Sequence, residues 1–66
     1  MTVKNNLKEI LKDRGIKQVW LAEQVGVNRK TLNNTINNKY NPSLELALKI
    51  AEVLNMSIHD IFKLEK

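Results

Sequence analysis

Apolar residues recur at intervals of three and four along almost the whole of this chain, the spacing that lines up side chains on one face of an α-helix. Val3, Leu7, Ile10 and Leu11 form a first stripe that ends near Arg14, where Gly15 supplies a left-handed stop. Leu21, Ala22 and Val25 form a second stripe within Gln18 to Val25, and Gly26 ends it. Asn28 can cap a third helix, Arg29 to about Asn37, with Leu32 and either Thr35 or Ile36 turned inward. The segment NKYNPS reads as a loop, because Asn38 tolerates a left-handed backbone and Pro42 biases Asn41 toward an extended one. Ser43 caps a fourth helix that should bury Leu44, Ala47, Leu48, Ala51 and Leu54. Ser57 and Asp60 have the spacing of a capping box that opens a short fifth helix, Ile58 to about Lys63. Strict alternation and tight-turn dipeptides are nearly absent. The expected fold is all-α, five helices in one domain over residues 1–66.

Size limits how such a fold can be held together. A chain of 66 residues buries only about 60% of the surface it exposes when unfolded. Domains this small usually carry a disulfide, a metal or a partner. Here there is no cysteine and one histidine, so neither a disulfide nor a zinc site is available. Close helix packing or a second subunit must supply the difference. No apolar run suits a signal peptide or a membrane span, and a cysteine-free chain fits a reducing compartment. A cytoplasmic location follows as the expectation, with no membrane partner.

The segment GVNRKTLNNTINNK, Gly26 to Lys39, carries the chemistry. It holds five asparagines and three bases, and no acid occurs from Gln24 to Leu44 in a chain of net charge +4. Asparagine is a poor helix former, so a helix filled with it calls for a reason other than propensity. The second and third helices supply one. They are about eight and nine residues long and joined by a tight turn at Gly26, with the small Ala22 four residues earlier letting the helices cross closely. This is a helix-turn-helix arrangement, whose second helix enters the DNA major groove. Arginine or lysine can pair with guanine O6 and N7, and asparagine with adenine N6 and N7.

The stretch from Gln18 to Phe62 resembles the Cro/CI-type (xenobiotic-response-element) helix-turn-helix regulators, and is similar to small members such as the cytolysin-operon repressors. The resemblance rests on Gln18 opening the second helix, LAEQVGV at Leu21 to Val27, NPSLELALKIAEVL at Asn41 to Leu54, and the closing IHDIF. It implies a lambda-repressor-like five-helix domain. Asn28, Arg29 and Lys30 then lie where the family reads base edges, with Asn33 and Asn34 one turn further along. Gln18 would contact phosphate and brace the third helix. Thr31 would touch the DNA backbone or support the helix, and Lys39, Tyr40 and the amides near Asn41 would grip phosphate, which positions without specifying. Thr35, Ile36 and Asn38 depart from the family pattern, which commonly has an aliphatic residue, an acid and glycine there.

Met56, Ile58, Ile61, Phe62 and Leu64 are more apolar side chains than a short terminal helix needs, and the resemblance places a two-fold interface in this region. The expected interface is Met56, Ile58, His59, Phe62 and Leu64, and the expected partners are a second copy of the chain and double-stranded operator DNA. Repression is the expected mode for a chain with little surface beyond its DNA-binding helices. An antitoxin-like or adaptor role using the same helices is the rival, favoured by Trp20, which lies away from Leu21, Ala22 and Val25 and is read first as covering the chain after Gly15. Catalysis is not expected: Ser57, His59 and Asp60 are neighbours on one turn, which rarely gives the geometry of a triad, a cap explains Ser57 and Asp60 better, and with only Gly15 and Gly26 no phosphate-cradling glycine loop exists. No cofactor, metal or small-molecule ligand is expected.

Overall fold

The computed structural model describes residues 2–65. Among these residues five helices follow one another: α1 (Leu7–Arg14), α2 (Gln18–Val25), α3 (Arg29–Ile36), α4 (Leu44–Leu54) and α5 (Ile58–Ile61). Two short strands, β1 (Thr2–Asn5) and β2 (Phe62–Glu65), flank them and pair antiparallel with Val3 opposite Leu64 and Asn5 opposite Phe62.

Local chemistry sets most helix ends. Gly15, Gly26 and Asn55 close α1, α2 and α4 in the left-handed conformation, at φ of 67°, 76° and 55°. The amides of Gly26 and Val27 both donate to the Ala22 carbonyl, at 2.9 and 3.1 Å, which turns the chain sharply out of α2. Side-chain oxygens of Asn28, Ser43 and Ser57 accept amides at the starts of α3, α4 and α5. Arg14 reaches across to donate to the Leu54 carbonyl at 2.6 Å, a cation placed at the negative end of α4. Leu7, Leu21, Leu32, Ile50 and Ile61 are fully buried at the centre, and Ala22, Val25, Ile36, Leu46 and Leu54 close around them.

Several expectations need correction. Val3 does not extend the first helix, and the fifth helix ends at Ile61 rather than Lys63; both outer segments are strand instead. In α4 the expected inward residues Leu44 and Leu48 are 72% and 51% exposed, while Leu46 and Ile50 are buried beside Ala47, Ala51 and Leu54. The α4 sequence LELALKIAEVL is apolar around most of its circumference, so helical periodicity alone does not select the packed face. Thr35 and Ile36 are both buried, and the Thr35 hydroxyl is satisfied by donating to the Thr31 carbonyl at 3.1 Å. Ser57 caps α5 by accepting the His59 amide at 3.3 Å, not the Asp60 amide that a capping box needs. The Asp60 amide donates to the Ser57 carbonyl at 2.9 Å instead.

Truncation at the centre should cost most. Ile50→Ala is expected to lower the unfolding free energy by about 2–5 kcal/mol, the usual range for emptying a filled core site. Urea denaturation followed by circular dichroism measures this, and a loss below about 1 kcal/mol would contradict the assigned α4 face.

Candidate nucleic-acid interface

The turn at Gly26 swings α3 across α2, and α3 is anchored through one side only. Leu32, Thr35 and Ile36 face the core, which leaves the opposite face in solvent. That face carries Arg29, Lys30 and Asn33 exposed, with Asn34 half-buried beside them. No acid lies in the first turn of α2 or of α3, so nothing there opposes an approaching anion.

Hydrogen bonding divides the expected base readers into two groups. Asn28 uses its Oδ1 to accept the Thr31 amide at 2.7 Å, so its carbonyl is engaged as the α3 cap. Asn33 accepts a hydrogen bond on Oδ1 from Asn37 Nδ2 at 3.0 Å. This amide pair, one turn apart, engages the Asn33 carbonyl and joins two exposed side chains. Arg29, Lys30 and Asn34 make no side-chain hydrogen bonds among the described residues, and their donors and acceptors remain available.

The expected phosphate contacts also differ in their surroundings. Gln18 is exposed at the first position of α2, and Lys17 before it makes no side-chain cap, which leaves first-turn amides of α2 open to an anion. Thr31 is exposed on α3, with its amide held by Asn28. Lys39 and Tyr40 are exposed in the loop after α3. Asn41 is exposed too, but its Oδ1 accepts the Val3 amide at 3.1 Å, so its side chain ties the loop to β1.

One residue with no signal in the sequence joins this region. Asn5 of β1 donates from Nδ2 to the Thr35 carbonyl at 2.7 Å and to Asn38 Oδ1 at 3.1 Å. Its Oδ1 accepts the Leu7 amide at 3.0 Å, and its own amide donates to Asn38 Oδ1 at 3.0 Å. Asn38 sits at φ 59°, the left-handed conformation expected of it.

The expected interface residues lie at the other end of the chain. Ile58, His59, Phe62 and Leu64 line an open apolar groove of about 550 Å³, with Leu44 and Val3 on its rim. Leu64 is 62% exposed, whereas Phe62 is buried and its ring belongs mainly to the core. Met56 packs half-buried against the core and does not line the groove. Trp20 is 45% exposed beside Gly15, Ile16 and Lys17, the chain it was expected to cover. Among the described residues no group of three or more His, Cys, Asp or Glu could hold a metal ion, and no helix is long and apolar enough to cross a membrane.

Residues 6–66 match the family model of the Cro/C1-type HTH DNA-binding domain. The chain belongs to this family. An uncharacterized HTH-type transcriptional regulator of Bacillus subtilis, YgzD, is 42% identical over 64 residues, covering 97% of each chain. The immunity repressor of Bacillus phage phi105 is 36% identical over 61 residues, which span 92% of this chain and 42% of that protein. The crystal structure of the transcriptional regulator VanUg superposes with a TM-score of 0.79 at 37% identity, covering 98% of this chain and 88% of that one. The protein is thus a helix-turn-helix DNA-binding transcriptional regulator with α2 and α3 as its motif, and it is not an enzyme.

The capping role of Asn28 is open to substitution. Asn28→Ala is expected to destabilise the fold by about 1 kcal/mol through loss of the cap, while Asn28→Ser keeps a capping oxygen and should restore most of it. Thermal unfolding of the three proteins decides this. Equal stability of the alanine and serine variants would show that the cap contributes nothing.

Proposed function

We propose that the chain is a repressor that binds a palindromic operator as a homodimer, with α3 of each copy in the major groove. The observation that carries this reading is the outer face of α3. Arg29, Lys30 and Asn34 stand there with unengaged hydrogen-bonding groups, on a segment without acids, next to a core that holds the helix from behind. Arg29 and Lys30 suit guanine, Asn34 suits adenine, and Asn33 and Asn28 offer their remaining amide donors to base acceptors or phosphate. Gln18 with the open amides of α2, Thr31, Lys39, Tyr40 and the Asn41 backbone would hold the sugar–phosphate chain on either side.

A second copy supplies the two-fold symmetry. Leu44 and Leu64 line the groove and expose large apolar surface, and Leu48, also exposed, lies one turn from Leu44 on α4. Ile58 and His59 would join them, with Met56 and Phe62 supporting from the core side. A symmetric dimer would set two α3 helices about 34 Å apart, one DNA turn, which is what makes a palindrome the natural operator. Likeness to the phi105 immunity repressor supports repression as the mode of action. Such a regulator would work in the cytoplasm, where its operator lies.

Binding is tested by fluorescence anisotropy against a duplex selected from random DNA by the chain itself and against a scrambled duplex, over a range of salt. The selected duplex should win by about 10³ or more. Arg29→Ala is expected to lose about 1–3 kcal/mol of that discrimination, and Lys39→Ala to weaken both duplexes alike and flatten the log–log salt slope by about one. Equal affinity of the native chain for both duplexes would defeat the operator reading. Leu64→Asp addresses the dimer separately. In sedimentation equilibrium the native chain is expected as a dimer at micromolar concentration and the variant as a folded monomer, whereas a native monomer would rule the assembly out.

A further inference from the structure

We infer that Asn5 is a positioning residue for the recognition helix: its side chain clamps the last turn of α3 to the terminal β-ribbon, and sequence discrimination depends on that clamp. This rests on the reading of α3 as the helix that meets bases.

Asn5 is half-buried, and both of its Nδ2 hydrogens and its Oδ1 are used within the protein. It therefore has no role left at the surface. Its bonds join three elements: the Thr35 carbonyl in the last turn of α3, the Asn38 side chain in the loop beyond, and the Leu7 amide at the start of α1. Asn38 returns the contact by accepting both the backbone amide and the Nδ2 of Asn5 on one oxygen. The Val3 amide adds a parallel tie to Asn41 three residues further on. Every one of these bonds runs from β1 to the last turn of α3, to the segment leaving it or to α1, whereas the neighbouring Asn6 makes no side-chain cap bond.

The consequence is geometric. The N-terminal half of α3 is fixed by the turn at Gly26 and by Leu32 in the core. Its C-terminal end packs Ile36 into the core and runs on into the loop that carries Lys39 and Tyr40, and there the polar ties to β1 add to the apolar packing. β1 is itself paired with β2, so Asn5 sets the tilt of α3 against a ribbon whose strands also border the Leu64 groove. A reading helix whose far end drifts keeps its charge, and so its attraction to any phosphate backbone, but loses the alignment that bidentate base contacts require.

The test compares Asn5→Ala, Asn38→Gly and the double variant with Asn6→Ala as control. Glycine is chosen at Asn38 because it keeps the left-handed backbone without strain while removing the acceptor. Each protein is titrated by anisotropy with the duplex selected by the native chain and with a scrambled duplex, at a temperature where circular dichroism shows it folded. Amide hydrogen exchange of the free proteins is read in parallel. Both single variants are expected to reduce the selected-over-scrambled ratio by about tenfold, with affinity for the scrambled duplex and its salt slope retained. The double variant should lose less than the sum of the two single losses, because the two substitutions share the contact between Asn5 Nδ2 and Asn38 Oδ1. Asn6→Ala should keep the native ratio. In exchange, the amides of Asn37, Asn38 and Lys39 should lose protection selectively while those of α4 keep theirs. Folded variants that keep the native ratio, or that weaken on both duplexes equally, would overturn the proposal, as would uniform loss of protection across the chain. If the native chain itself discriminates no duplex, the DNA reading fails, and selective or uniform exchange then still decides whether Asn5 clamps α3.

Discussion

The packing of α2 against both α3 and α4 is the contact on which the rest of the molecule depends. Ala22 is small enough for the helices to approach, and Gly26 reverses the chain within a residue or two of the end of α2. Leu21, Leu32 and Ile50 then meet with no exposure to solvent. An eight-residue helix is too short to persist alone in water. Tertiary packing must therefore form α3, and the same packing that forms it also chooses which of its faces stays wet. The position of Leu32, Thr35 and Ile36 toward the core is thus the direct cause of the position of Arg29, Lys30 and Asn34 toward solvent.

What was legible in the sequence was local. Gly15, Gly26, Asn28 and Ser43 act through bonds to residues at most five positions away, so their types alone announced where helices begin and end. The helix-turn-helix pair was legible for the same reason. The terminal ribbon was not: it pairs residues about sixty positions apart, and four-residue strands contain too little alternation to stand out from a helical stripe. Helical spacing therefore places Val3 on the stripe of the first helix and Phe62 in the last turn of the fifth, where the structure has strand. The α4 face failed for a different reason. With apolar residues at 44, 46, 47, 48, 50 and 51, two faces satisfy the same periodicity, and only the position of α2 and α5 decides between them.

The candidate site was legible in residue type but not in its internal bonding. That Asn28, Asn33 and Asn34 share a helix is read directly from the sequence. That Asn28 and Asn33 each have one carbonyl already committed, and Asn34 does not, requires coordinates. Asn5 lay wholly outside the sequence argument, because a side chain that bonds residues thirty or more positions away leaves no periodic or capping signature. The amides of this protein therefore serve two kinds of task. Asn33 on α3 and Asn37 at its C-cap are exposed and Asn34 is half-buried beside them, whereas Asn5, Asn38 and Asn41 tie the segment that follows α3 to β1.

This division bears on how a helix so poor in propensity survives. Each asparagine in α3 costs up to about 0.7 kcal/mol relative to alanine, and there are two within Arg29–Ile36. The cap at Asn28, the Thr35 hydroxyl bond and the ties to Asn5 each return an amount of the same order. Stability near α3 is thus supplied mainly from its two ends and its buried face. The outer face is released from any structural duty, and its residues can change with the DNA they meet without unfolding the domain. The leucines left exposed on α4 and β2 follow the same logic in reverse: they are apolar area the small core did not use, and covering them with a second copy would add stability that a 66-residue chain without a disulfide lacks. In the proposed dimer, folding, assembly and reading would be linked through one short ribbon, since β1 holds α3 on one side and β2 borders the assembly surface on the other.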